Sequence, residues 1–258
     1  MKRRILFLVL TITNSVIFAQ VNTVYNPVTG RTWMDKNLGA SQVAISFDDV
    51  NAFGDLYQWG RASDGHQLRN STTTTVLSSS NSPNHSDFIL ASSDWLSFSN
   101  DSLWQGVNGI NNPCPDGFRL PTEEEFEAER LSWSSNDAAG AFASVLKLTI
   151  GGARSRTSGA IGNVGTFVGY RTSTLNGNQS RLLGIAISNS FTANRDRADG
   201  NCIRCIKNES STSIVEMNPE RNLKHIVDML SKVVNKSNNK LLLYIYDDGT
   251  VEKKIIIE

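Results

Sequence analysis

Residues 113–130 read PCPDGFRLPTEEEFEAER and contain a clear helix start. Thr122 and Glu125 have the spacing of a capping box, in which each side chain accepts a hydrogen bond from a free backbone N–H at the beginning of a helix. The acidic residues at 123–125 also complement the positive end of the helix dipole. The sequence therefore predicts a helix that begins at Thr122, shortly after Cys114.

A second helix is predicted from about Asp137 to Leu146. Its apolar residues recur at helical spacing and form one stripe: Ala138, Ala141, Phe142, Val145 and Leu146. Residues 148–207 are punctuated by glycine and alternate like short strands. Two helices within an otherwise β-rich chain indicate the α+β class.

The first residues of the chain have the pattern of a secretory signal. The basic residues Lys2, Arg3 and Arg4 precede an apolar run, and the small residue Ala19 precedes Gln20. We expect cleavage after Ala19, which makes 1–19 a signal peptide. A retained membrane anchor is the alternative, but polar residues at 11 and 13–15 interrupt the apolar run.

The charges of the chain are balanced. Of its 258 residues, 25 are Lys or Arg and 25 are Asp or Glu. Loss of the three basic residues of the signal would leave a mildly acidic mature chain. This composition argues against a nucleic-acid partner, which would require a basic surface, and no segment after the signal is long and apolar enough to span a membrane. We expect the mature protein to be secreted or located at the outer-membrane surface.

Export would place the three cysteines in a compartment where disulfides persist. Residues 201–207 (NCIRCIK) alternate like a strand, in which the α-carbons of Cys202 and Cys205 would be about 10 Å apart. A disulfide bridges α-carbons no more than about 7 Å apart, so these two should not pair with each other. We favour Cys114 with Cys205, which leaves Cys202 as a buried free thiol; Cys114 with Cys202 is the alternative.

Four separated blocks occur in a characteristic order along the chain. They are residues 33–38 (WMDKNL), 54–60 (GDLYQWG), 113–122 (PCPDGFRLPT) and 200–207 (GNCIRCIK). Together they resemble the Fibrobacter succinogenes major paralogous domain, over about residues 24–208. That resemblance implies a secreted domain related to C-type-lectin-like and formylglycine-generating-enzyme-like folds.

The resemblance also suggests a ligand-contact position. Residues 170–173 (YRTS) look like a Tyr-Trp-Ser-Ser block of this family, with Arg171 in place of the tryptophan. Tyr170 and Arg171 are therefore candidates for ligand contact. Family members usually have Ser or a similar residue at the position of Cys202.

The C-terminal residues carry a second resemblance. Residues 213–258 look like the C-terminal sorting domain of substrates of the type IX secretion machinery, which makes that machinery an expected partner. Residues 241–246 and 251–257 alternate like strands, and Asp248-Gly249 is a hairpin-turn dipeptide. A plain β-hairpin appendage is the alternative. The polar linker at 208–213 gives domains of residues 20–208 and 209–258.

The chain shows no catalytic motif. Its three histidines lack metal-ligand spacing, no Gly-x-Ser-x-Gly segment occurs, and helix capping explains the acidic residues near 125 better than catalysis does. Asp48, Asp49, Asn51 and Asp55 could contribute to a Ca²⁺ site, although they lack the 12-residue loop pattern. We expect no other cofactor.

Two tryptophans could contact a ligand. Trp95 and Trp104 lie in or beside residues 70–102, a segment rich in Ser, Thr and Asn. An exposed indole there could stack on a sugar ring, although packing into the core is the simpler role.

Three functions follow from these patterns. We expect a non-catalytic secreted or cell-surface module that binds a glycan or another surface ligand through its loops, or serves in a surface coat. The first alternative is a formylglycine-generating-enzyme-like oxidase that uses Cys202 and Cys205. The second is a purely structural surface protein.

Overall fold

The computed structural model describes residues 21–209, 222–227, 233–234, 241–247, 249 and 251–255. The predicted signal peptide and part of the predicted sorting tail lie outside these residues. The chain divides into two compact units between residues 208 and 209. Each unit is described by itself.

The first unit combines two α-helices with several small sheets among its described residues. The helices are α1 (Glu123–Leu131) and α2 (Ala138–Ala143), and Val50–Ala52 forms a short 3-10 helix. The strands are β1 (Thr23–Asn26), β2 (Arg31–Met34), β3 (Thr73–Thr74), β4 (Phe88–Ile89), β5 (Phe118–Arg119), β6 (Ala153–Arg154), β7 (Ile161–Gly162), β8 (Phe167–Asn176), β9 (Gln179–Ala186), β10 (Ser190–Arg195) and β11 (Ile206–Lys207). All of the strand pairs are antiparallel except β3 with β4. This arrangement fits the predicted α+β class.

A four-stranded sheet brings the two ends of the first unit together. Its strand order is β1-β2-β11-β5, with Ile206 of β11 opposite both Trp33 and Arg119. Beside this sheet Cys114 and Cys205 form a disulfide with their α-carbons 5.9 Å apart. The predicted pairing is confirmed, and Cys202 is a buried free thiol as expected. Of the predicted strand at 201–207, only Ile206–Lys207 is regular.

The helix predicted at Thr122 is present, with both capping-box hydrogen bonds. The second helix is shorter than predicted. It starts after Asp137, whose carboxylate caps the Gly140 N–H, but it ends at Ala143. Val145 was expected in the buried stripe and is 40% exposed because the chain has already left the helix at that point. Leu146 is buried as expected.

The three-stranded sheet β10-β9-β8 has two different faces. One face, which includes Val168 and Tyr170, packs in a core with Phe126 of α1 and Ala141 of α2. On the other face, Gly169 of β8 and Gly184 of β9 lie opposite each other in register. Because neither has a side chain, other groups can approach the sheet backbone closely at this point.

The second unit has three described strands: β12 (Leu223–Val227), β13 (Leu241–Tyr246) and β14 (Val251–Ile255). They form an antiparallel sheet in the order β12-β13-β14. Gly249 has φ of +83° and donates its N–H to the Tyr246 carbonyl, as the predicted hairpin between β13 and β14 requires. The predicted end of the last strand, residues 256–257, lies outside the described residues.

Within the described part of the chain, no helix is both long enough and apolar enough to cross a membrane.

Candidate ligand-binding cleft

The two tryptophans proposed for ligand stacking are not exposed. Trp95 and Trp104 each have 0% of their surface accessible. Their indole N–H groups donate to the backbone carbonyls of Trp59 (2.7 Å) and Asn111 (2.8 Å), so even the polar atoms face inward. The simpler role for both residues, packing into the core, is confirmed, and the weaker suggestion of an exposed stacking surface is wrong.

Tyr170 is also buried and lies on the core face of β8. Its hydroxyl donates to the Thr149 carbonyl at 2.9 Å and accepts from the Thr149 N–H at 3.0 Å. A third hydrogen bond comes from the Asn37 amide, also at 3.0 Å. The proposed ligand contact at Tyr170 is therefore wrong, because every polar direction of the phenol is used within the core.

Arg171 points to the other face of β8 but is fully buried. Its guanidinium donates to the Asp196 carbonyl (2.8 Å), the Asp199 carbonyl (2.6 Å) and the Ser180 hydroxyl. Burial lowers the pKa of Arg171 to about 10. The proposed ligand contact at Arg171 is therefore wrong. Its side chain binds backbone carbonyls of the loop after β10 and positions that loop.

The structure does not contain the thiol pair required by the oxidase alternative. Cys205 is bonded to Cys114. Cys202 is fully buried beside the Phe53 carbonyl, 3.5 Å from its sulfur, and burial raises the pKa of the thiol to about 11. A protonated and inaccessible thiol is a poor nucleophile, so neither cysteine is presented for chemistry.

Two of the acidic residues considered for Ca²⁺, Asp48 and Asp49, accept hydrogen bonds within the protein. The Asp49 carboxylate accepts hydrogen bonds from the Asn51 and Ile45 N–H groups and from the Gln42 amide. Asp48 accepts from the Ser46 hydroxyl at 2.7 Å. In the parts of the chain that the structure describes, no three His, Cys, Asp or Glu residues are grouped as a metal site would require.

A cleft of about 300 Å³ lies on the glycine face of the three-stranded sheet. It is bounded by the β6–β7 hairpin, by the ends of β8 and β10, and by the segment that precedes Cys202. Its lining combines apolar and polar groups: Ala153, Arg154, Ser155, Ala160, Ile161, Gly162, Asn163, Phe167, Arg195, Asp199 and Asn201. None of these residues was proposed as a site from the sequence.

Asn201 is the unusual residue of this cleft. Its backbone pairs with Tyr57 in both directions, which fixes its position, and only 1% of its surface is exposed. Yet neither its amide nitrogen nor its amide oxygen has a hydrogen-bond partner within the described structure. A buried unsatisfied polar group costs about 1–3 kcal/mol, so an amide left in this state needs an explanation.

The glycine face allows Asn201 to occupy this position. A methyl group added to Gly169 would lie 2.4 Å from Asn201 Oδ1 and 2.9 Å from the Leu182 side chain. At Gly184, the same addition would lie 2.9 Å from the ring of Phe191 and 3.3 Å from that of Phe167. Gly169 therefore accommodates the Asn201 amide. Gly184 accommodates the stacked rings of Phe167 and Phe191, whose centres are 6.3 Å apart.

A second depression, of about 480 Å³, lies beside Cys114 and is lined largely by polar loop residues. Two of the three asparagine amides in its lining, those of Asn111 and Asn112, are already engaged. Asn111 donates to the carbonyls of Gly60 and Asn81, and Asn112 donates to those of Val107 and Phe118. Because these amides are occupied within the protein, this depression does not share the main feature of the cleft.

The cleft was missed by sequence reasoning for an identifiable reason. Residues 200–207 attracted attention for their cysteines, and Asn201 was seen only as part of that block. Its only local signal is a polar side chain between a glycine and an otherwise apolar, β-like run. The lack of a partner for Asn201 depends on the residues packed around its amide, such as Gly169 of β8, which is not a neighbour in sequence.

No protein-family model, no curated protein and no solved structure matches this chain. The two resemblances drawn from the quoted blocks stay predictions.

Proposed function

We propose that this protein is an exported, non-catalytic module that binds a saccharide in the cleft beside Asn201. The observation that carries the proposal is the buried amide of Asn201, which is fixed by its backbone and lacks a partner within the described structure. A ligand that supplies both an acceptor and a donor would satisfy it.

The chemistry of the cleft suits a sugar. An asparagine amide can donate to one hydroxyl and accept from its neighbour, which matches the adjacent hydroxyl groups of a pyranose ring. Phe167 adds an aromatic surface to the lining, and a pyranose has an apolar face that packs against such rings. The volume of about 300 Å³ is at the lower end of the range for ligand pockets, which favours one monosaccharide unit over a long chain.

Three further elements of the proposal come from the sequence. The signal-like first residues support export, and the resemblance of residues 213–258 to type IX sorting domains supports delivery to the cell surface or the medium. The four blocks within residues 24–208 support a Fibrobacter succinogenes major paralogous domain with a C-type-lectin-like body. The Cys114–Cys205 disulfide is compatible with a location outside the cytoplasm, where disulfides persist.

A glycan array probed with the secreted protein, followed by calorimetric titration of the sugars that bind, tests the proposal. Asn201→Ala should weaken the affinity by about tenfold or more, because it removes two hydrogen bonds to the ligand. Gly169→Ala should have a similar effect, because its methyl group forces the Asn201 amide out of place.

Asn189→Ala is the matched control, since Asn189 is exposed in the turn between β9 and β10 and does not line the cleft. It should bind as the wild type does. Absence of saccharide binding at high protein concentration would refute the proposal. So would sugar binding that Asn201→Ala and Gly169→Ala leave unchanged.

A further inference from the structure

Arg195 is a positively charged residue of the cleft lining that lacks a counter-ion. It stands at the end of β10 and is partly exposed. Among the described residues, no carboxylate or carbonyl accepts a hydrogen bond from its guanidinium, although an arginine has five donors to satisfy. Its charge is therefore available to a ligand.

Two acidic residues that follow Arg195 closely in the sequence are engaged by another arginine. Asp199, which lines the cleft, accepts from the Arg156 backbone N–H (3.1 Å) and from the Arg156 guanidinium (3.3 Å). Asp196 accepts from the same guanidinium at 3.0 Å. The Arg156 guanidinium thus pairs with both carboxylates, and neither of them forms an ion pair with Arg195.

Two more arginines near the cleft have only neutral partners. Arg154 donates to the carbonyls of Gly159 and Ser71, and its guanidinium lies 4.3 Å from the centre of the Phe88 ring. Arg171, below the cleft, donates to backbone carbonyls and a hydroxyl. With Arg195 they make the surroundings of the cleft positive, and the partly buried setting limits screening by solvent.

We propose that the sugar bound in this cleft carries a carboxylate, as a uronic acid does, and that Arg195 pairs with it while Asn201 binds ring hydroxyls. The inference rests on the proposed function and adds the substrate class. Arginine suits the role because its planar guanidinium can bind both oxygens of one carboxylate. Arg195 and Asn201 line the same cleft of about 300 Å³, which is the size of a site for one monosaccharide unit.

Matched pairs of methyl glycosides test the inference directly. Methyl β-D-glucuronide and methyl β-D-glucoside differ only at C6, where one has a carboxylate and the other a hydroxymethyl group; the galacturonide and galactoside form a second pair. We expect the acidic member of at least one pair to bind about tenfold or more tightly, as one charge-assisted contact allows. Raising NaCl from about 50 to about 500 mM should weaken the acidic sugar more than the neutral one.

Arg195→Gln should remove the preference within the pair, because the acidic sugar should lose about tenfold more affinity than the neutral one. Lys207→Gln is the charge-matched control, because Lys207 is exposed on β11 and does not line the cleft. It should keep the full preference. Near-ultraviolet circular dichroism checks that Arg195→Gln is folded, and Arg195→Lys, which retains the charge without the fork, should keep part of the preference.

The outcomes separate the two proposals. Equal binding of the acidic and neutral members would overturn the inference and leave the proposed function standing. A preference that survives in Arg195→Gln would also overturn it, because the carboxylate would then be recognised elsewhere. If no saccharide of the array or the pairs binds, the proposed function fails and this inference fails with it.

Discussion

Two asparagines of the first unit are equally buried, and their surroundings are opposites. Asn37 and Asn201 are each 1% exposed. The Asn37 amide nitrogen donates to the carbonyls of Ala52 and Phe53, and its oxygen accepts two bonds from the Arg204 guanidinium, at 3.1 and 2.9 Å. The Asn201 amide makes none of these contacts.

The difference separates a group that builds the fold from one that we propose binds a ligand. Around Asn37, each polar atom has a partner from a different part of the chain, including the phenol of Tyr170 and the hydroxyl of Thr149. Such a network holds remote segments together and leaves no polar atom for a ligand. Around Asn201, the amide packs directly against Gly169 and neither of its polar atoms has a partner among the described residues, which agrees with the proposed role in binding.

Asn37→Ala should have the largest effect on stability. It deprives the fully buried Arg204 of two of its hydrogen bonds, and each hydrogen bond to a charged group is worth about 1.5–3 kcal/mol. Urea unfolding followed by tryptophan fluorescence measures this loss in the first unit, since all five tryptophans lie between residues 33 and 133. A loss no greater than that of Asn201→Ala would break the comparison.

His66 sharpens the comparison, because pH should change a satisfied group into an unsatisfied one. It is fully buried; its Nδ1 donates to Asp64 at 2.7 Å, and its Nε2 accepts from the Gln58 N–H at 3.1 Å. A proton added to Nε2 would point at the Gln58 N–H, so two donors would face each other and this hydrogen bond would be lost. Burial, above all, lowers the pKa of His66 to about 4 from 6.5.

The unfolded chain therefore binds a proton at His66 below about pH 6.5, whereas the folded chain binds it only near pH 4. Stability contributed by this residue is complete above pH 6.5 and should fall by about 3 kcal/mol as the pH drops to 4. Urea unfolding at several pH values, compared between the wild type and His66→Gln, isolates this term. Identical pH slopes in the two proteins would contradict the assignment.

Asn201→Ala should have the smallest effect on stability, and of the opposite sign to Asn37→Ala. Removal of an unsatisfied buried amide should raise the free energy of unfolding by about 1 kcal/mol, which corresponds to an increase in Tm of about 2–4 °C. The same variant should lose ligand affinity. Differential scanning fluorimetry without ligand provides the measurement, and a marked drop in Tm would show that Asn201 has a structural partner.

Several features of the fold follow from neighbouring residues alone. The start of α1 depends on Thr122 and Glu125, three residues apart, and the hairpin of the second unit depends on the turn at Gly249. These predictions succeeded because the interactions that decide them are local. The end of α2 could not be predicted from the apolar pattern, because the stripe continues to Val145 and Leu146 after the helix has stopped.

Ligand contacts were predicted from residue type, and this approach failed. Trp95, Trp104, Tyr170 and Arg171 have side chains that commonly bind ligands, but all four are buried and satisfy their polar groups mostly within the protein. The residue types are the same in a core and in a site. What differs is whether the polar atoms have partners within the protein, which depends on contacts between segments that are not adjacent in sequence.

The sequence by itself determined the α+β class, the capped helix, the hairpin of the second unit and a short list of cysteine pairings. Only the tertiary structure selected Cys114 with Cys205, buried the candidate aromatic residues and left the Asn201 amide unpaired above Gly169. The physical reason is the separation in sequence of the groups that interact. Capping and turn geometry are decided within a few residues, whereas the presence or absence of a hydrogen-bond partner in the interior depends on every segment that packs around the group.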